Sequence, residues 1–268
     1  HILLKVKNLV DELSKETQLS PPVIGVGTPG TLEPDTHTLK NSNTTCLNGK
    51  PVKNDLEQKL GFPVLMANVS NCISLAKTHY GGVKDLNVRT SLVFGIIMGT
   101  GVGGGIVVNG HIINGLHGIA GEWGHNFLDE SGGECYCGRV GCVETVLSGP
   151  ALEKYYYSLS GKKDHLKNIY ERYLVGNDQY ATETIKRLIY YFGKALAQVI
   201  NIIDPDVVVL GGGVGNIDAL YTKGVLAVQE FIFNPVVKTH FIKPKLGDSA
   251  GVFGAAALTI GYNTETGF

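Results

Sequence analysis

Ile2, Leu3, Val6, Leu9, Val10 and Leu13 recur at helical spacing, with Lys5, Asp11, Glu12 and Lys15 between them. That period predicts an amphipathic helix at the start of the chain. VIGVGTPG breaks the period and reads as a short strand that ends in glycine and proline. Residues 54–60 predict a second helix stopped by Gly61, and GFPVLMAN predicts a buried strand. Helix, strand, helix, strand implies a layered α/β unit. The strand leads straight into the helical pattern VSNCISLA, so a polar turn sits where a strand end meets a helix start. Such a turn often carries an acid or a base, yet Val69 stands between Asn68 and Ser70.

After Gly81 the pattern changes. SLVFGIIMG and GGIVVNGHIING are strand-like, and Asn109-Gly110 fits the two-residue turn that joins antiparallel strands. Helical patterns follow from Gly149 through Tyr157, from about Asn168 to Leu174, and from about Thr182 to Ile203, stopping before Asp204-Pro205. DVVVLGGG reads as a central parallel strand that delivers a ligand loop. A strand around Phe241 and the small-residue helix SAGVFGAAALTI complete the set. The order predicts two α/β lobes, 1–81 and 82–268.

Charge narrows the partners. The chain has 268 residues, is 43% hydrophobic and sets 23 Lys and Arg against 24 Asp and Glu. That balance disfavours nucleic acid and anionic membrane as partners. No apolar run approaches the ~20 residues of a membrane span, and charges interrupt the first stretch where a signal peptide would be plainly apolar. A cytoplasmic location is the expectation. The chain begins at His1 directly on a helical pattern, so it is expected to be a fragment of a longer product.

Three of the five cysteines, Cys135, Cys137 and Cys142, crowd into one loop with His125 just upstream, while Cys46 and Cys72 lie elsewhere. One imidazole and three thiolates are the inventory of a closed structural zinc site, and Gly138 and Gly141 allow the tight turn that gathers the sulfurs. Ordinary buried thiols are the other reading. Glu122 and Glu144 flank the loop, and carboxylates held by a rigid loop suit the hydroxyls of a sugar. MGTGVGGGIVV places a glycine turn between two strands, where exposed N–H groups can cradle phosphate oxygens. LGGGVGN is a comparable loop expected to precede a helix and to receive an adenosine. Two such loops favour a nucleotide.

IGVGTPG, KNSNTTCLNGKP, GFPVLMAN, MGTGVGGGIVVNG, GIAGEWGHN, CYCGRVGCVET, INIIDPDVVVLGGG and GDSAGVFGAA stand in the order found in the ROK family of sugar kinases. Over nearly its whole length the chain resembles the N-acetylglucosamine kinase and fructokinase branch. The resemblance implies a two-lobed, actin-like (ribonuclease H-like) α/β kinase fold with a zinc-binding loop, ATP with magnesium as co-substrate, and homodimers as a common assembly. It further implies sugar contacts from Asn43, Asn68, Glu122, His125 and Glu144, and zinc ligation by His125, Cys135, Cys137 and Cys142. By the same likeness Thr100, Gly101 and Gly103 touch ATP phosphates, and Gly212 and Gly213 form the adenosine loop.

Two departures stand out. The family follows the asparagine matched by Asn68 with an aspartate that takes the proton from the sugar hydroxyl; here Val69 occupies that place. Relatives also begin with a hairpin carrying an Asp-x-Gly-Gly-Thr phosphate loop, which the chain from His1 does not contain. An ATP-dependent sugar kinase of impaired activity is therefore the leading expectation. A sugar-sensing regulator is the alternative, although the helix from Ile2 is a single amphipathic element with no basic patch beside it; an inactive remnant is the third reading.

Overall fold

The computed structural model describes residues 1–80, 90–243 and 250–262. Helix α1 (Ile2–Thr17) turns Leu3, Val6 and Val10 onto α2 (Val52–Leu60), whose Val52, Leu56 and Leu60 form the buried side of a small core. Gly61 ends α2 in the left-handed conformation, the role expected of glycine at a helix C-terminus. Between the two helices run β1 (Ile24–Thr28), β2 (Thr31–Leu32) and β3 (Leu39–Lys40). Strand β1 pairs in parallel with β4 (Val64–Asn68), matching Thr28 to Asn68, while β2 and β3 form an antiparallel pair.

Helix α3 (Val69–His79) starts on the residue after β4 ends. Its outer partner is the last helix, α9 (Ala250–Ala257), which also packs on β1. The approach needs glycine: a Cβ on Gly25 would lie 1.8 Å from the Ala255 carbonyl, and one on Gly254 would lie 1.7 Å from that of Cys72. The C-terminal helix is therefore built into the layer formed by the first third of the chain. The expected lobe boundary at 81 and the opening residues of GDSAGVFGAA fall outside the described residues.

Among the described residues the main sheet has five strands in the order β7 (His111–Ile113), β6 (Val102–Val108), β5 (Leu92–Met98), β8 (Val207–Gly211), β9 (His240–Ile242). Strands β5, β6 and β7 form an antiparallel meander, and β8 and β9 join β5 in parallel. Asn109 and Gly110, at φ 50° and 82°, make the β6–β7 turn, the paired positive φ values of a type I′ hairpin. One face carries the main core under α4 (Val143–Leu147), α5 (Gly149–Ser160), α6 (Leu166–Val175), α7 (Gln179–Ile203) and α8 (Lys223–Gln229). The 25-residue α7 begins three residues before the expected start, because the Asp178 side chain accepts hydrogen bonds from the N–H groups of Tyr180 and Ala181.

Candidate active site

The C-terminal ends of β5 and β8 lie side by side, the position where open α/β sheets hold ligands. The turn between β5 and β6 closes with a hydrogen bond from the Gly99 N–H to the Gly101 carbonyl at 2.8 Å. Gly212, just past β8, has φ +77°, and a Cβ there would lie 2.3 Å from the Met98 carbonyl oxygen. The two glycine loops singled out in the sequence are thus adjacent, with Thr100, Gly212 and Gly213 exposed. The second loop differs from expectation in one respect. It runs into two 3-10 turns, Val214–Asn216 and Asp218–Tyr221, before α8, so no α-helix N-terminus stands directly behind it.

Glu144 joins this turn to the cysteine loop. From the first turn of α4 its Oε2 accepts the Val102 N–H at 2.8 Å. Gly101 leaves room for that carboxylate, since a Cβ there would lie 2.5 Å from the same oxygen. The Gly149 N–H, at the α4–α5 junction, donates to the Gly99 carbonyl at 2.8 Å.

Glu122 and His125 bracket the turn Trp123–His125, which Trp123 anchors. Its indole stands edge-on to Phe94, with centroids 6.2 Å apart, and donates to the Ala195 carbonyl at 3.3 Å. Gly124 lies so close to β6 that a Cβ would fall 1.9 Å from the Val102 carbonyl oxygen. Burial raises the Glu122 carboxyl above the ordinary carboxylate range; the His125 ring opposes that shift and the Glu144 charge adds to it.

The four expected metal ligands come together. His125 Nδ1 is 3.6 Å from Cys135 Sγ, Cys137 Sγ is 3.6 Å from Cys142 Sγ, and all four donor atoms lie within 4.8 Å of one another. Zinc bonded to sulfur at 2.3 Å and nitrogen at 2.0–2.1 Å gives tetrahedral edges of about 3.5–3.8 Å, so the cluster fits a zinc site. Gly141, at φ +74°, permits the fold-back: a Cβ would lie 2.5 Å from the Asp129 carbonyl oxygen. Burial pushes the Cys142 thiol up to about 12 and also raises Cys135. Cys137 sits lower; slight burial opposes this, but the Arg139 N–H, the neighbouring sulfurs and the Arg139 charge outweigh it.

One residue of the cluster was not foreseen. The Tyr136 hydroxyl lies 3.0 Å from His125 Nε2, and its ring stands at 90° to the imidazole with centroids 5.1 Å apart. Desolvation of the hydroxyl, with the charges of Glu144, Cys135 and Glu122, pushes its pKa up to about 12. Its identity was visible in CYCGRVGC, but nothing local indicated its contact with the imidazole.

Asn68 stands at the end of β4. Its Oδ1 accepts the Ser70 N–H at 2.7 Å, capping α3, and its Nδ2 donates to the Gly30 carbonyl at 3.0 Å. It lines a cavity of about 250 Å³ with Thr28, Thr31, Glu33, His37 and Asn114. The segment from Asn114 to Gly118 runs along that cavity, and the chain continues to Gly121, packed on Gly105, and Glu122. Val69 begins α3 beside Gly27 and Gly251. Asn43 is exposed in the turn after β3 and is not among the residues lining the cavity.

Motif order, fold and cysteine cluster agree with the sequence profile of the ROK family, which matches residues 1–261. The chain belongs to the ROK family. It is 35% identical over 246 residues to the N-acetyl-D-glucosamine kinase of Histophilus somni (strain 129Pt), covering 88% of this chain and 79% of that one. Among solved structures it is similar to the ROK hexokinase of Thermus thermophilus, with TM-score 0.83 and 27% identity over 96% of this chain and 85% of that one. It is also similar to a ROK family transcriptional regulator, a homolog of the E. coli MLC protein, with TM-score 0.79 and 25% identity over 97% and 68%. The fold is that of the actin-like ATPases to which these kinases belong. Among the described residues no helix is long and apolar enough to cross a membrane.

Proposed function

We propose that the chain binds a hexose or N-acetylhexosamine and ATP with magnesium, and transfers the γ-phosphoryl group to a sugar hydroxyl. Asn43, Asn68, Glu122, His125 and Glu144 form the sugar side in this reading. Thr100, Gly101, Gly103, Gly212 and Gly213 form the nucleotide side, and the two lobes are residues 1–81 and 82–268, except that α9 of the second stretch packs into the layer of the first. His125, Cys135, Cys137 and Cys142 hold a zinc ion whose four protein ligands leave no open coordination position, so its contribution is to fix the loop. The carrying observation is the hydrogen bond from Val102 to Glu144, which brings a sugar-side carboxylate and the glycine turn into one unit. The likeness to N-acetyl-D-glucosamine kinases supports the same assignment.

Val69 favours a second, narrower reading in which sugar is bound and turnover is weak. General-base catalysis is typically worth 10²–10⁴-fold, about 3–5 kcal/mol, while phosphoryl transfer rests chiefly on positioning and charge stabilisation. A residual rate is therefore expected. The similarity to a ROK family transcriptional regulator supports keeping a regulatory role as the alternative. Calorimetry with N-acetylglucosamine, glucose, fructose and mannose, combined with a coupled assay of ADP release, tests both readings. Binding with turnover supports the kinase, binding alone supports the sensor, and no binding removes both.

A further inference from the structure

His125 has two ring nitrogens, and both are occupied. Nδ1 faces Cys135 at 3.6 Å, inside the ligand cluster, which leaves Nε2 as the nitrogen available to a bound molecule. Nε2 is already paired with the Tyr136 hydroxyl at 3.0 Å. A sugar hydroxyl reaching His125 therefore meets a phenol in its place. The Tyr136 ring stands edge-on over the imidazole, and the residue is 81% exposed. No core packing holds it there, and rotation of its side chain would release Nε2.

We propose that Tyr136 guards the sugar subsite: its phenol satisfies His125 Nε2 in the sugar-free protein, and a sugar hydroxyl enters by displacing it. This rests on the sugar-binding reading above. The phenol matches the hydroxyl it replaces, because each can donate or accept at the same nitrogen. Sugar binding then exchanges one hydrogen bond for another, so the gain at Nε2 is reduced by the contact that is broken. A single intramolecular hydrogen bond of this kind corresponds to about two- to ten-fold in affinity. Tyr136 also lies within electrostatic reach of Glu122 and Glu144.

The test uses Tyr136→Phe, which keeps the ring and removes only the hydroxyl. Calorimetry with N-acetylglucosamine and glucose is run on zinc-loaded wild type and variant, with zinc content measured on each. The expected result is equal zinc and a sugar affinity about two- to ten-fold higher in the variant. Tyr136→Ala, which removes the ring as well, should shift affinity in the same direction and covers the case in which the Phe variant loads metal poorly. Unchanged or weaker sugar binding in both variants overturns the guard. A wild-type protein that binds no sugar sinks the sugar-binding reading and this inference with it, whereas a wild type that binds and variants that do not differ sink this inference alone.

Discussion

Glu144 accepts the main-chain N–H of Val102 at 2.8 Å. One carboxylate oxygen is thereby committed to the glycine turn, while the residue stands two positions after the cluster ligand Cys142. Val102 is buried, so an unpartnered N–H there costs roughly 1–3 kcal/mol. Glu144→Ala is expected to lower stability by about that amount and to weaken sugar and ATP binding together. Gly101→Ala should act similarly, because its new methyl group would meet the same oxygen. Urea unfolding and separate titrations with sugar and ATP check this; ATP affinity untouched in both variants would mean the turn is independent of Glu144.

The cysteine loop has few apolar anchors of its own, with Tyr136 and Val140 both exposed. Its order therefore depends on the cluster. Structural zinc contributes roughly 10–16 kcal/mol in small zinc-finger peptides, against about 5–15 kcal/mol for the stability of a whole domain. Cys142→Ser is expected to abolish stoichiometric zinc and lower the melting temperature, and a chelator should do the same to wild type. Cys46→Ser, an exposed position outside the loop, should change neither. Metal analysis beside thermal melting provides the check.

Short-range signals in the sequence were readable because local geometry dictates them. Asn109-Gly110 marked a hairpin since both residues adopt the positive φ that the turn demands, and the interleaved glycines of the cysteine loop marked a His/Cys cluster whose spacing suits a metal. What escaped depends on neighbours distant in the chain. Trp123 anchors the Glu122–His125 turn through Ala195, 72 residues away, and Glu144 meets Val102 across 42 residues. Neither contact leaves a periodic trace. LGGGVGN was expected to lead into a helix, whereas the fold places two 3-10 turns between it and α8. The apolar period places the start of α7 three residues late, because it does not register the Asp178 cap ahead of it.

Asp206 fastens the start of the central strand. Its Oδ2 accepts the Ser91 N–H at 2.8 Å, the Ser91 hydroxyl at 3.0 Å and the Leu92 N–H at 2.8 Å. Burial works to raise its pKa, but the Leu92 and Ser91 donors and the His240 charge outweigh it and hold the carboxyl below the ordinary range. A folded-state pKa lowered in this way stabilises the protein above the unfolded value of about 3.9 and is lost as pH falls through the folded value. Wild type should therefore lose stability below about pH 4, and Asp206→Asn should show a smaller loss over the same range. Denaturant unfolding at pH 7 and across the acid range checks the sign; parallel curves would remove Asp206 from the acid response.

Val69 occupies the first position of α3, directly after the residue that caps the helix. An acidic residue is favoured in that first turn by about 0.3–1 kcal/mol through the helix dipole. Val69→Asp is therefore expected to fold normally. If the turn is the phosphoryl-acceptor site, the new carboxylate stands next to Asn68 at the cavity edge and supplies the missing base. Turnover with N-acetylglucosamine and ATP should then rise by about 10²–10⁴-fold, with little change in sugar affinity, because a base acts on the proton in transit more than on the bound ground state. A coupled ADP assay and a sugar titration on the same two proteins decide it. Equal rates in wild type and variant would place the proton acceptor elsewhere.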